Sequence, residues 1–257
     1  MESIIDVLAY DVGYFGVKAA YRTRGSIESF GFPSVASRVS RETLRSSAEF
    51  FGKNSDCVEV DVGAVTYVVD TGKSALPGSS TVRAEVDNFP QSDHYAALVL
   101  AGLKKIGASR VKCLVLGLPL HTMHKHTDFL KSRFSAVHQL GGSGCVIEKV
   151  VVLPQPLGAF ARLRAQGLIS AERVTSTCIV DVGWHTTDAV VIKQNGSPDL
   201  ERIIGLPRGA AHVVREVARL ISEKAGTRVD NLDRIDYANL GRWFRIHQSR
   251  PGWRGRS

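Results

Sequence analysis

No apolar run in this 257-residue chain approaches the roughly 20 residues that span a bilayer, and Met1-Glu2-Ser3-Ile4-Ile5-Asp6 lacks the basic start of a secretory signal. Neither a membrane span nor export is expected, and the expected compartment is the cytoplasm. Cysteine is scarce. Cys57, Cys113, Cys145 and Cys178 are widely spaced and lie mostly in apolar stretches, which argues against a disulfide framework or cysteine metal cluster and suggests small core residues. A strong uniform charge is also missing. Arg242, Arg245, Arg250, Arg254 and Arg256 supply much of the net +8 from a last segment without any acid, so composition does not indicate direct nucleic-acid binding. What is present, with 44% hydrophobic residues, is enough for a folded chain of one large or two modest domains.

Against that background, two Asp-Val-Gly turns stand out. The first is Tyr10-Asp11-Val12-Gly13-Tyr14-Phe15-Gly16-Val17-Lys18, and the second is Val180-Asp181-Val182-Gly183-Trp184-His185-Thr186-Thr187-Asp188. Each closes an apolar strand, and their corresponding places suggest a duplicated unit holding phosphates between its copies. Glycine lets the backbone approach phosphate oxygens, and a tight turn exposes amide donors. A hard divalent cation keeps part of its water shell and takes one or two carboxylates, a role that suits Asp11 and Asp181. Lys18 can reach a phosphate as a point charge, and Thr186 and Thr187 add hydroxyls. Asp61-Val62-Gly63 is different. It sits between two short β-branched runs and reads as an ordinary hairpin turn.

The rest of the chain alternates strands and helices, which indicates an α/β fold. Short strands fill the first part to about Val69. A helix over 92–106 places Tyr95, Leu98, Val99 and Leu103 on one face, and a strand over 111–116 is broken by Gly117-Leu118-Pro119. A helix is expected over 127–140, one apolar strand over 146–153, and a domain crossing at Pro154-Gln155-Pro156-Leu157-Gly158-Ala159-Phe160. Beyond the second turn come strands, Gly205-Leu206-Pro207-Arg208-Gly209, and a helix over 210–224 with Val213, Val217, Leu220 and Ile221 as its buried stripe and Gly226 as its stop.

Taken in order, Asp11-Val12-Gly13 to Lys18, Gly117-Leu118-Pro119, Gln155-Pro156-Leu157-Gly158-Ala159 and Asp181-Val182-Gly183 to Asp188 resemble the motifs of the actin-like ATPases, most closely the plasmid-segregation branch of ParM or StbA type. The resemblance implies duplicated actin-like, ribonuclease H-like domains with a cleft between them: residues 1–164 as the first domain, 165–240 as an incomplete second, and 241–257 as a basic, disordered tail. It also implies ATP and Mg²⁺ in the cleft, ATP hydrolysis, self-association into filaments that partition plasmids, and a DNA-bound adaptor protein as partner. The phosphate role falls on Gly13, Tyr14, Gly16, Lys18, Gly183, Trp184, His185 and Thr186. The metal-water role falls on Asp11 and Asp181, and Gln155 stands where the family orients the attacking water. Glutamine is not a strong base, so positioning must do that work.

Trp184 and His185 depart from the glycines the family often carries in its second loop. Nothing after Gly241 resembles the family's adenosine-binding motif, so the chain looks cut short and a weak hold on the base is expected. Gly72-Lys73-Ser74 fails as a phosphate loop because Tyr67 occupies the required earlier glycine. His121, His124 and His126 lack a suitably spaced partner for a metal. The alternatives to an ATPase filament protein are a nucleotide-dependent scaffold without turnover and a small-molecule kinase of the same superfamily.

Overall fold

A computed structural model describes residues 3–23, 25–40, 56–72, 87–169, 176–232 and 235–236. Its first half is built on one mixed sheet. Strand β1 (Ile4–Val12) pairs antiparallel with β2 (Gly16–Thr23), and β2 pairs with β3 (Ser26–Pro33). A short β4 (Ala36–Val39) leaves this sheet to flank the hairpin of β5 (Cys57–Val62) and β6 (Val65–Asp70). That hairpin turns at Gly63-Ala64 with Gly63 at φ +61°, and Asp61 accepts the Thr66 hydroxyl at 2.6 Å, so the third Asp-Val-Gly is the structural turn its sequence suggests.

Helix α1 (Asp93–Lys105) follows. The Ser92 hydroxyl accepts the Tyr95 amide at 3.1 Å, Asp93 occupies the first turn, and Lys104 and Lys105 occupy the last, each matching the helix dipole. Every residue from Tyr95 to Leu103 is buried, because α1 lies between β1 and the β5–β6 hairpin. The Tyr10 hydroxyl donates to the Leu98 carbonyl at 2.8 Å, and Gly102 makes room for the tyrosine ring.

Strand β7 (Arg110–Leu118) runs parallel to β1 and passes straight through Gly117, which is part of the strand and not its breaker. After a turn at Leu120–Thr122, α2 (Met123–Phe134) ends earlier than its sequence suggests, and β8 (Val137–Gln139) takes the remaining residues. The apolar run expected as one strand is two, β9 (Gly144–Ile147) and β10 (Val150–Pro154), both parallel to β7. The ladder is interrupted between them, where Glu148 donates its amide to the Val111 carbonyl and Leu114 donates to the Lys149 carbonyl.

Helix α3 (Gln155–Ala165) starts directly on β10, with Pro156 in its first turn where a missing N–H costs nothing. A second, three-stranded sheet follows in the order β11 (Ser176–Val182), β12 (Thr187–Lys193), β13 (Pro198–Leu206), and α4 (Ala210–Ala225) closes on Gly226 at φ +66°. The large core lies mostly in the first half, and Trp184 with Ala211, Val214 and Ala218 of α4 extends it from the second. Phe160 of α3 joins Ile179, Val190 and Ile192 in a smaller cluster on the second sheet.

Two expectations about burial are corrected. The buried face of α4 is Ala211, Val214 and Ala218, whereas Val213, Leu220 and Ile221 are exposed, so the larger apolar stripe faces outward. Of the four cysteines only Cys145 is buried. Cys57 and Cys178 are exposed, each on an edge strand, where sheet periodicity does not guarantee cover.

Candidate functional site

The two Asp-Val-Gly turns are the same local structure. In β1–β2, Asp11 faces Lys18 and Val12 faces Val17; in β11–β12, Asp181 faces Asp188 and Val182 faces Thr187. The Gly13 amide donates to the Gly16 carbonyl at 3.2 Å, and the Gly183 amide to the Thr186 carbonyl at 2.9 Å. A side chain on either glycine would be a tight fit. A Cβ would stand 3.1 Å from the Gly16 oxygen in one turn and 3.3 Å from the Thr186 oxygen in the other.

Each turn is also tied from behind by the segment that follows its third strand. Ser34, beyond β3, donates its hydroxyl to the Gly13 carbonyl and its amide to the Phe15 carbonyl. In the second half that service comes from a helix N-terminus. Ala210 and Ala211 of α4 donate their amides to the Gly183 and Trp184 carbonyls, each at 2.9 Å. Gly209 is required for this approach, because a Cβ on it would lie 2.3 Å from the Gly183 oxygen.

The two tips meet. The Tyr14 ring lies 4.7 Å from His185 and 5.2 Å from Phe89, and Phe15 lies 5.2 Å from Trp184, so rings from both hairpins interleave. Tyr14, Trp184 and Thr186 are buried, His185 is half-buried and Lys18 is exposed. Burial raises the Tyr14 hydroxyl to about 12, helped by Asp87, and pushes the His185 imidazole down.

Asp11 and Asp181 lie within electrostatic reach of each other. Burial holds the Asp11 carboxyl above its usual range, Lys18 and a 2.6 Å bond from the Gln155 amide pull it back, and the Asp181 charge raises it further. Gln155, the first residue of α3, therefore touches the first acidic turn directly. Gly117 lets it do so, since a Cβ there would lie 3.1 Å from Gln155 Cγ and 3.6 Å from Asp11 Oδ1. Asp188 is likewise raised by burial and by Asp181, against the Leu120 amide and His121.

This donor set suits a hard cation. A buried carboxylate held beside a second acidic charge gains from a divalent ion placed where its waters can reach both. Among the described residues no group of three or more His, Cys, Asp or Glu is arranged to hold a metal by itself, so oxygen ligands from a bound phosphate would complete the shell. His121 stands 3.7 Å from Asp87, His126 is buried against the Asp87 carbonyl, and His124 is exposed. Sequence reasoning missed Ser34, Gly117 as a packing residue, Gly209 and the burial of Asp188. Only Gly209, directly before a helix, carried a local signal. Lys73, Ser74 and residues 241–257 lie outside the described residues.

Residues 9–158 match the family profile described as the N-terminal domain of actin-like proteins. The chain belongs to the actin-like proteins. No curated protein matches it. Among solved structures, the actin-like fold is shared with the native crystal structure of Ta0583, an archaeal actin homolog, at 23% identity and a TM-score of 0.70, covering 91% of this chain and 71% of that one. The same homolog in complex with ADP aligns at 21% identity and 0.64 over 89% and 70%. The filament of AlfA from a B. subtilis plasmid aligns at 19% identity and 0.55 over 84% and 78%. At these identities the likeness establishes the fold, a duplicated α/β architecture. No described helix of this actin-like chain is long and apolar enough to cross a membrane.

Proposed function

We propose that this actin-like chain binds ATP with Mg²⁺ between its two hairpin turns, hydrolyses it, and assembles into filaments that partition plasmid DNA in the cytoplasm through a DNA-bound adaptor protein. One observation carries the reading. Two glycine turns share one register, Asp181 lies within electrostatic reach of Asp11, and Gln155 is bonded to Asp11. The ADP complex of the archaeal homolog supports a nucleotide, and the plasmid-borne AlfA filament supports self-association.

On this reading, Gly13, Tyr14, Gly16 and Lys18 hold phosphate from one side, and Gly183, Trp184, His185 and Thr186 from the other. Asp11 and Asp181 hold the waters of Mg²⁺, which supplies charge neutralisation for phosphate oxygens when bound. Gln155 acts by position: its carboxamide, fixed by Asp11, orients a water without taking its proton. Residues 1–164 and 165–240 are the two lobes, and α3 is the crossing, since Phe160 packs on the second sheet while Gln155 reaches the first.

Phosphate release measured alongside light scattering tests this. ATP-dependent scattering with phosphate release supports the reading. ADP formation without free phosphate, seen only when a metabolite is added to accept the phosphoryl group, indicates a kinase, and neither scattering nor ADP formation indicates a scaffold without turnover.

A further inference from the structure

We propose that Asp188 is the positioning residue that pins the second hairpin to the first lobe, and so sets how the two acidic turns face each other. The hairpins give Asp188 the slot that Lys18 fills in the first copy: Lys18 pairs with Asp11, and Asp188 with Asp181. The two slots have diverged completely in burial. Lys18 is exposed, whereas Asp188 is only 1% exposed.

The buried carboxylate has a specific partner. Asp188 Oδ1 accepts the Leu120 amide at 3.0 Å. Leu120 opens the turn that leaves β7, the strand beside β1, and its side chain packs on the Phe160, Ile179, Val190 and Ile192 cluster of the second sheet. The bond thus joins the exit of the first sheet to the middle strand of the second. Gly205, paired with Asp188 on β13, makes the space. A Cβ there would lie 2.8 Å from the His121 amide nitrogen and 3.0 Å from Asp188 Oδ1.

Leu120 is half-buried, so its N–H has restricted access to water once its acceptor is gone, and a bond to a carboxylate is stronger than one between neutral groups. Removing the acceptor frees the Leu120 backbone and lets the second turn drift relative to Asp11. Asparagine retains an oxygen acceptor at the same place and should keep most of the pin, with a weaker bond than the carboxylate makes.

The test uses the full chain with Asp188→Ala, Asp188→Asn and Gly205→Ala. Hydrogen exchange at the Leu120 amide, without nucleotide, reads the pin. In Asp188→Ala and Gly205→Ala, exchange should quicken by ~10-fold or more, and in Asp188→Asn it should stay within ~3-fold of the parent. The kinetic half rests on the nucleotide reading above: Asp188→Ala should lower kcat by ~10-fold with a smaller change in KM, and Asp188→Asn should restore it. Parental Leu120 exchange in Asp188→Ala overturns the proposal, as does Asp188→Asn being as impaired as Asp188→Ala. If Asp188→Ala does not fold, Gly205→Ala decides by the same exchange measurement. A parent chain without ATP turnover removes the nucleotide reading, and the exchange comparison still judges the pin.

Discussion

Replacing Gly209 and Gly158 by alanine should move stability in opposite directions, although the chemical change is the same. At Gly209 the added Cβ would stand 2.3 Å from the Gly183 carbonyl oxygen and 2.7 Å from that of Trp184. Reaching an ordinary contact distance requires about 1 Å of displacement, which pulls the second hairpin tip off the α4 N-terminus. Overpacking of this kind costs ~1–3 kcal/mol. Weakening the two bonds from Ala210 and Ala211 adds ~1 kcal/mol each. The sum, ~3 kcal/mol or more, corresponds to a fall in Tm of roughly 6–12 °C for a chain of this size. Gly158 lies inside α3 with nothing within 4 Å of its added Cβ, so alanine there should gain about 1 kcal/mol from helix propensity. Thermal unfolding followed by circular dichroism reads both. A Gly209→Ala chain as stable as the parent, or a destabilised Gly158→Ala chain, refutes the steric account of how the second turn is held.

Other consequences concern charge. Because burial raises Asp11 above its ordinary value, the folded chain holds that proton more tightly than the unfolded one, and stability should fall as pH rises through the window from about 4 to the raised value. Asp11→Asn should remove this slope and raise Tm near neutrality while abolishing Mg²⁺-dependent turnover. A variant with unchanged pH dependence would show that Asp11 is not desolvated. Asp181→Ala should abolish turnover with the fold intact by circular dichroism, and retained hydrolysis counts against the site. Trp184→Ala should separate the tips from the Phe15 side, costing ~0.5–1.5 kcal/mol from the lost ring pair beyond burial; a double-mutant cycle with Phe15→Ala measures it.

Sequence legibility follows the range of the forces involved. Turn chemistry is local, so the two Asp-Val-Gly turns of β1–β2 and β11–β12 and the Asp61 hairpin could all be read from neighbours in the chain, and so could the stop at Gly226. Periodicity gives an apolar face but not what covers it. On α4 the stripe of Val213, Leu220 and Ile221 is real, yet the described structure buries Ala211, Val214 and Ala218. The run over 146–153 has the composition of one strand, and only its pairing with β7 shows the interruption at Glu148-Lys149. Ser34, Gly117 and Asp188 act through partners far away in sequence, Gly13, Gln155 and Leu120, and nothing beside them announces it. Resemblance supplied the family, while the register of the two hairpins supplied the geometry.

Competition between ligands tests the central claim, that the chain grips phosphate and Mg²⁺ through the two acidic turns. Calorimetric titration of Mg²⁺-ATP should be competed by Mg²⁺-tripolyphosphate and not by adenosine, and chelation of Mg²⁺ should weaken it by ~10-fold or more, the loss of one good electrostatic contact. Competition by adenosine alone, with binding indifferent to Mg²⁺, would place the ligand away from Asp11 and Asp181 and contradict the account.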